Sequence, residues 1–291
     1  MTLRNQICNY IFLVILLLAG ISCEKFSGDQ TVPAYISIDS IYLTTNPSQG
    51  TASHRITDGW VYVDDEFIGT FELPAHFPVL KTGKHTVKIW PGIKKNGIAA
   101  TRVSYLFYLP VQKNITLTPD STSRMGIIGT TYQTTTIFSW QEDFEDVAIS
   151  LDTTSRSSAW ITLTMAADST FEGVHSGRVV LDSVHDFFEC QTRNEYAIPS
   201  APVYLELNFN TTNTIIVGVV VYGTTSLYQS PIITLNQTNG AWKKIYIDLT
   251  TTLNAYSGMQ TYRVYLGTFK DPGIDKGIIL FDNFKVLTRN S

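Results

Sequence analysis

The 291-residue chain is short of charge, of cysteine and of helical periodicity, and each shortage excludes something. Charged residues make up 16% of it and the net charge is -4. Binding a phosphate backbone needs a clustered basic face. The only dense basic stretch, Lys81 to Lys95, alternates with apolar residues as a strand does, so nucleic acid is excluded as a partner. Three cysteines, Cys8, Cys23 and Cys190, are too few for a disulfide scaffold. The longest apolar run, Tyr10 to Ile21, falls short of the roughly 20 residues that a bilayer-spanning helix needs. His54, His76 and His85 lack metal-ligand spacing. H-E-x-x-H, G-x-S-x-G, C-x-x-C and Gly-rich phosphate loops are missing. A glycoside hydrolase needs two facing carboxylates. Glu142 with Glu145, or Glu189 with Glu195, are the pairs on offer, and nothing in the sequence separates them from surface charge. The expectation is a protein that is not an enzyme.

What the chain does have is strand. Apolar residues reach 44%, enough for packed cores. They fall in short runs rich in Val, Ile, Tyr and Thr that alternate with period two and break at Gly, Asn, Asp and Pro. Gly59 to Val63, His85 to Trp90, Val203 to Phe209, Trp242 to Leu249 and Tyr262 to Leu266 are clear cases. Short strands at this spacing predict an all-β protein of sandwiches or jelly rolls. A first domain is expected over 33–118, a linker or crossing strand over 119–136, and a second domain over 137–291.

The beginning of the chain resembles a bacterial lipoprotein signal: Arg4, the apolar run, then Leu18-Ala-Gly-Ile-Ser-Cys23. The resemblance implies that residues 1–22 are removed and that Cys23 carries covalent lipid, palmitate included. Residues 23–32 then form a lipidated tether, keeping the first domain within roughly 30 Å of the bilayer. With Cys8 removed and Cys23 acylated, Cys190 has no disulfide partner and reads as a buried small hydrophobe. The relaxed signal is of a kind familiar among Bacteroidota. So are the D-S/T acceptors for periplasmic O-glycosylation, matched at Asp39, Asp120, Asp152, Asp168 and Asp182, with Ser121 on the joint the best candidate. Together these imply an outer-membrane, lipid-anchored protein. The charges of Glu24 to Asp29 favour the cell-surface face over the periplasmic one.

Within the first domain, Trp60-Val-Tyr-Val-Asp-Asp-Glu-Phe-Ile-Gly69 reads as a hairpin turning on Asp64 and Asp65. Followed by Val79-Leu-Lys-Thr-Gly-Lys-His-Thr-Val-Lys-Ile89, it resembles the PEGA-type β-sandwich repeat over residues 60 to 90, although Asp65 stands where that family often has glycine. Such modules are spacers or contact surfaces. Trp60 and Trp90, in alternating strands, are expected in the core.

The second domain carries Trp140-Gln-Glu-Asp-Phe-Glu-Asp146, Gly173-Val-His-Ser-Gly-Arg-Val-Val-Leu181, Gly240-Ala-Trp-Lys-Lys-Ile-Tyr-Ile-Asp-Leu249 and Gly277-Ile-Ile-Leu-Phe-Asp-Asn-Phe-Lys-Val286. That succession resembles the galactose-binding-like jelly rolls found among carbohydrate-binding modules. The resemblance implies a structural calcium held by Glu145 and Asp282, and places Trp242 in the core. The residues alone equally allow a solvated acidic strand start and a turn. Sugar binding in such modules uses exposed aromatic platforms. Trp160, Tyr222, Tyr228 and Tyr256 are the candidates, and they suit a protein interface equally well. Two functions are therefore expected. The first is a non-catalytic contact subunit of an outer-membrane complex for assembly, secretion or uptake, with an integral membrane protein as partner. The alternative is a surface lipoprotein that binds glycans through its jelly roll.

Overall fold

The computed structural model describes residues 31–256 and 258–289; the expected signal segment, the expected lipidation residue Cys23 and most of the expected tether lie outside them. The alternation in the sequence becomes strand almost everywhere, and the all-β class is borne out. The first half holds β1 (Ala34–Thr44), β2 (Asp58–Val63), β3 (Glu66–Glu72), β4 (Ala75–Val79), β5 (Gly83–Lys94), β6 (Arg102–Ser104), β7 (Val111–Leu117) and β8 (Thr122–Thr131). They form two facing sheets, one ordered β4-β1-β8 and the other β3-β2-β5-β6 with β7 also on β5. The strand after the joint, β8, returns to pair in parallel with β1 and so closes this sandwich. The β2–β3 hairpin turns on Asp64 (φ 51°) and Asp65 (φ 63°), the two left-handed positions of a type I′ turn, which aspartate tolerates better than most residues.

Ile36, Ile38, Val61, Val63, Val87 and Ile89 fill the core between these sheets. Trp60 and Trp90 do not. They sit opposite each other across β2 and β5, half-buried on the outer face, because strand alternation gives the inward positions to Val61, Val63, Val87 and Ile89.

The second half holds β9 (Thr136–Glu142), β10 (Leu151–Thr153), β11 (Thr162–Thr164), β12 (Ser176–Leu181), β13 (Phe187–Thr192), β14 (Tyr196–Ala197), β15 (Tyr204–Thr211), β16 (Ile215–Tyr222), β17 (Leu227–Leu235), β18 (Lys243–Asp248), a single helical turn and a half α1 (Thr250–Ala255), β19 (Thr261–Phe269) and β20 (Gly277–Arg289). Two six-stranded sheets result. The inner sheet runs β11-β12-β20-β15-β18 with β9 on β20, and the outer sheet runs β10-β13-β19-β16-β17 with β14 on β19. Between them lies the larger core, which includes Val217, Val219, Val264, Leu266, Phe281 and the free, buried Cys190. Burial pushes the Cys190 thiol far above its ordinary range, so it is inert.

The first sandwich docks on the outward face of the inner sheet. Tyr105, Phe107, Tyr108 and Tyr132 pack there against Tyr204, Tyr246 and Leu287 in a separate buried cluster. Tyr105 and Tyr132 hydroxyls donate to buried Glu206 at 2.9 and 3.1 Å. The inner sheet is thus covered on both faces. The outer sheet keeps its outward face open, with Phe269, Leu227 and Ile216 exposed there.

Candidate functional site

Alternation along the outer sheet decides what that open face presents. Phe188 and Cys190 of β13 point into the core, so Phe187, Glu189 and Gln191 point out. On β19, Tyr262, Val264 and Leu266 point in, leaving Arg263, Tyr265, Gly267 and Phe269 outward. On β16 the inward set is Val217, Val219 and Val221, which turns out Ile216, Gly218 and Tyr222. Register then lines these up in rows across the sheet: Phe187 beside Phe269, next Glu189-Gly267-Ile216-Thr234, next Gln191-Tyr265-Gly218-Pro231. Two glycines lie within the middle rows and lower the floor. The result is a groove of about 450 Å³ lined by Phe187, Glu189, Gln229, Tyr265, Phe269 and Asp271 among others.

One end of the groove is aromatic. Phe187 and Phe269 meet with ring centroids 4.5 Å apart, and Phe269 is 67% exposed. The middle is polar and rigidly held. Glu189, almost wholly buried, accepts from Thr154 Oγ1 at 2.9 Å, Gln229 Nε2 at 2.9 Å and Arg156 Nε at 3.2 Å. Burial pushes its carboxyl up, but the hydrogen bonds from Arg156, Gln229 and Thr154 outweigh that and hold it below the ordinary range. Asp271, at the far side, accepts from Thr214 N at 2.8 Å, Thr214 Oγ1 at 2.7 Å and Gln237 Nε2 at 3.1 Å. Its burial is likewise overcome by these donors, and its carboxyl is also held low. The donors around both carboxylates favour their ionised form. What the groove offers is a flat floor, an aromatic shelf and fixed amide, guanidinium and carboxylate groups.

The residues singled out in the sequence fall elsewhere. Tyr228 and Tyr256 do come together, stacked at 5.6 Å and 28°, beside the open edge of the sandwich. Tyr222 lies at the end of the outer sheet, its hydroxyl 3.2 Å from Gln191 Oε1 and the Arg263 guanidinium 5.7 Å above its ring. Trp160 is 59% exposed and leans on His185 at 5.6 Å, next to the strand that carries Phe187. None of the four lines the groove. Trp242 is not in the core either: it is half-buried against Phe171 at 5.2 Å, on the chain just before β18.

Glu145 and Asp282 both reach the 172–176 segment, at different atoms. Glu145 accepts from Val174 N at 2.8 Å and His175 N at 3.0 Å. Asp282 accepts from Ser176 Oγ at 2.5 Å and Asn283 N at 2.8 Å, and burial pushes its carboxyl up to about 7. Among the described residues no group of three or more His, Cys, Asp or Glu side chains is placed to hold a metal ion. With N–H and O–H donors on both carboxylates, the pair does not by itself offer calcium the six to eight oxygens it takes. Ser121 is exposed in the turn between β7 and β8, after Asp120 at φ 57°, with its carbonyl fixed by Tyr35 N at 2.8 Å.

The groove residues could have been found by one signal: reading the partners of the inward residues on β13, β16 and β19 as a single surface. Glu189 was visible only as half of a catalytic pair with Glu195. Glu195 instead holds Thr261 and Arg263 at the other end of the sheet.

No family model matches the chain, and no curated protein matches it. Solved structures do. The C-terminal family 22 carbohydrate-binding module of Clostridium thermocellum xylanase 10B is 12% identical, with 53% of this chain and 95% of that one covered and a TM-score of 0.37. The N-terminal module of that enzyme, solved joined to its GH10 module and complexed with xylohexaose, is 13% identical over 53% of this chain and 28% of that one, TM-score 0.39. A carbohydrate-binding module of the β-sandwich superfamily, studied for promiscuous specificity, is 12% identical over 87% of this chain and 98% of that one, TM-score 0.36.

Proposed function

We propose that the protein is a non-catalytic glycan-binding lipoprotein that holds an extended saccharide along the outward groove of the outer sheet. The observation that carries this reading is the composition of the groove. It joins the Phe187–Phe269 shelf, with Phe269 largely exposed, to Glu189 and Gln229, held in place by Arg156, over a glycine-lowered floor. Sugar rings present apolar C–H faces and equatorial hydroxyls, and such a surface meets the first with aromatic rings and the second with hydrogen-bonding groups already oriented. The donors around Glu189 and Asp271 hold both carboxyls low, which suits binding better than the proton donation that cleavage needs.

The test is affinity electrophoresis against a panel of neutral soluble polysaccharides, xylan among them. Retardation by at least one polysaccharide is expected. Phe269→Ala should weaken it by about 1–2 kcal/mol, roughly five- to thirtyfold in Kd, with Tm unchanged because the ring is largely exposed. Silence across the panel, with an integral membrane protein retrieved from detergent extracts, would replace this reading with that of a contact subunit. Anchoring belongs to the same proposal: labelled palmitate should enter the protein at Cys23 and be absent from Cys23→Ser, on the outer membrane of a cell whose surface then carries the groove.

A further inference from the structure

The chain is acidic overall, with a net charge of -4, yet one cleft between its halves has only positive charge in its walls. This cleft, about 460 Å³ in volume, lies where the end of β5 approaches the edge strand β18 and the end of β17. Arg55, Lys94, Lys243 and Lys244 line it together with Trp242, and no carboxylate does.

The four cations are not equally satisfied. Lys94 Nζ has Glu72 at 3.7 Å, outside the cleft. Arg55 and Lys243 side chains have no ion-pair partner among the described residues. Lys244 is the most unusual. Its side chain is 3% exposed and stands 3.2 Å from Glu206, but off line, so the buried Nζ has no aligned hydrogen-bond acceptor. An ammonium carries three donors, and one off-line carboxylate leaves donors in reserve. An anion entering the cleft would take them up, meeting Lys244 at its base and Arg55 and Lys243 at its mouth.

The position of the cleft says what kind of anion. Thr234, opposite Ile216 on the outer sheet, lines both this cleft and the glycan groove, so the two recesses meet at the edge strand β17. A chain lying in the groove and running off that edge arrives at Arg55, Lys243 and Lys244, with Trp242 as a ring surface beside them. We propose that the cleft is a subsite for an anionic sugar unit, carboxylate or sulfate, of the glycan bound in the groove. This rests on the glycan-binding reading and gives it a substrate class: acidic polysaccharides.

The experiment compares matched polymers in affinity electrophoresis: polygalacturonate with its carboxyl-reduced form, and dextran sulfate with dextran. The wild-type protein should bind at least one acidic member about tenfold more tightly than its neutral counterpart, the effect of one charge-assisted hydrogen bond. Which pair shows the preference identifies carboxylate or sulfate. The preference should fall with added salt. In the double variant Arg55→Gln/Lys243→Gln, whose side chains are exposed and contribute nothing to either core, acidic and neutral polymers should bind alike. Equal binding of acidic and neutral members by the wild type overturns the subsite and leaves the groove reading standing. A preference that survives the double variant also overturns it, since the anion would then sit elsewhere. Absence of binding to all four polymers and to the neutral panel removes the glycan reading, and the subsite with it.

Discussion

His85 shows how a single half-buried strand residue is tuned by its neighbours. Its Nδ1 is 2.5 Å from Asp64 Oδ2 and its Nε2 is 2.9 Å from the Thr82 carbonyl. Both partners are acceptors, so both ring nitrogens must donate, which only the imidazolium can do. The Asp64 carboxylate first, and the Thr82 carbonyl second, therefore raise the His85 pKa above its ordinary value. Asp64 in turn is held low, chiefly by Thr86 N and then by His85. The sign follows from linkage. A raised histidine contributes stability that is present below its unfolded pKa and is lost as pH climbs through its folded one. The depressed aspartate contributes stability present above its unfolded pKa and lost as pH drops through its folded one. Thermal melts should thus show wild type losing its margin over His85→Gln as pH rises from about 6 to 8, the margin being small because the Asp64 side of the pair is open to solvent. Identical pH profiles for the two proteins would remove the imidazolium.

Strands, one scale up, explain why the class of fold was legible and the site was not. Period-two alternation is a local property, and it marked β2, β5, β15, β18 and β19 correctly without any knowledge of their partners. It does not say which of its two faces is covered. Trp60 and Trp90 read as core because large aromatics usually are, yet the smaller β-branched residues beside them took the inward positions. The groove residues Phe187, Tyr265 and Phe269 come from strands far apart in the chain, and only the register of β13, β19 and β16 puts them in adjacent rows. Tyr228 and Tyr256, candidates for a sugar platform from sequence, stack at the sandwich edge instead of on the groove.

The two groove glycines separate packing from binding at this scale. A Cβ on Gly218 would collide with the Ser230 carbonyl and come within 2.5 Å of Tyr265 Cε1, while the nearest atom to a Cβ on Gly267 is 3.6 Å away. Gly218→Ala must move backbone of β17 and should cost about 1–3 kcal/mol in chemical denaturation. Gly267→Ala should stay within roughly 0.5 kcal/mol of wild type, yet lift the groove floor and weaken polysaccharide retardation. If Gly267→Ala binds glycan normally, the middle of the groove is not where the saccharide lies.

The whole molecule is held as one body by a polar knot inside an apolar joint, neither part of which is visible in any single stretch of sequence. Aromatic residues from the 105–108 segment and Tyr132 meet Tyr204 and Tyr246 across the joint. At its centre Glu206, fully buried, accepts from Tyr105 and Tyr132 and faces Lys244 at 3.2 Å. Burial lowers Lys244 and raises both tyrosines, and Glu206 both opposes the cation's charge and accepts from the two hydroxyls. Lys285, pushed down to about 8 by burial with Glu206 opposing, spans the same joint through its 2.6 Å bond to the Thr51 carbonyl. Truncation at Glu206 leaves a buried ammonium and two hydroxyls without partners, and Glu206→Ala should cost about 3–5 kcal/mol. Tyr132→Phe, which spares the Glu206–Lys244 pair and the Tyr105 bond, should cost only about 0.5–1.5 kcal/mol. Calorimetry distinguishes a joint from mere adjacency. Wild type and Tyr132→Phe should unfold in one transition, and Glu206→Ala in two, as the first sandwich releases before the second melts. Two transitions already in the wild type would mean that the sandwiches are tethered and not fused. The basic cleft between them would then have no fixed walls to bind with.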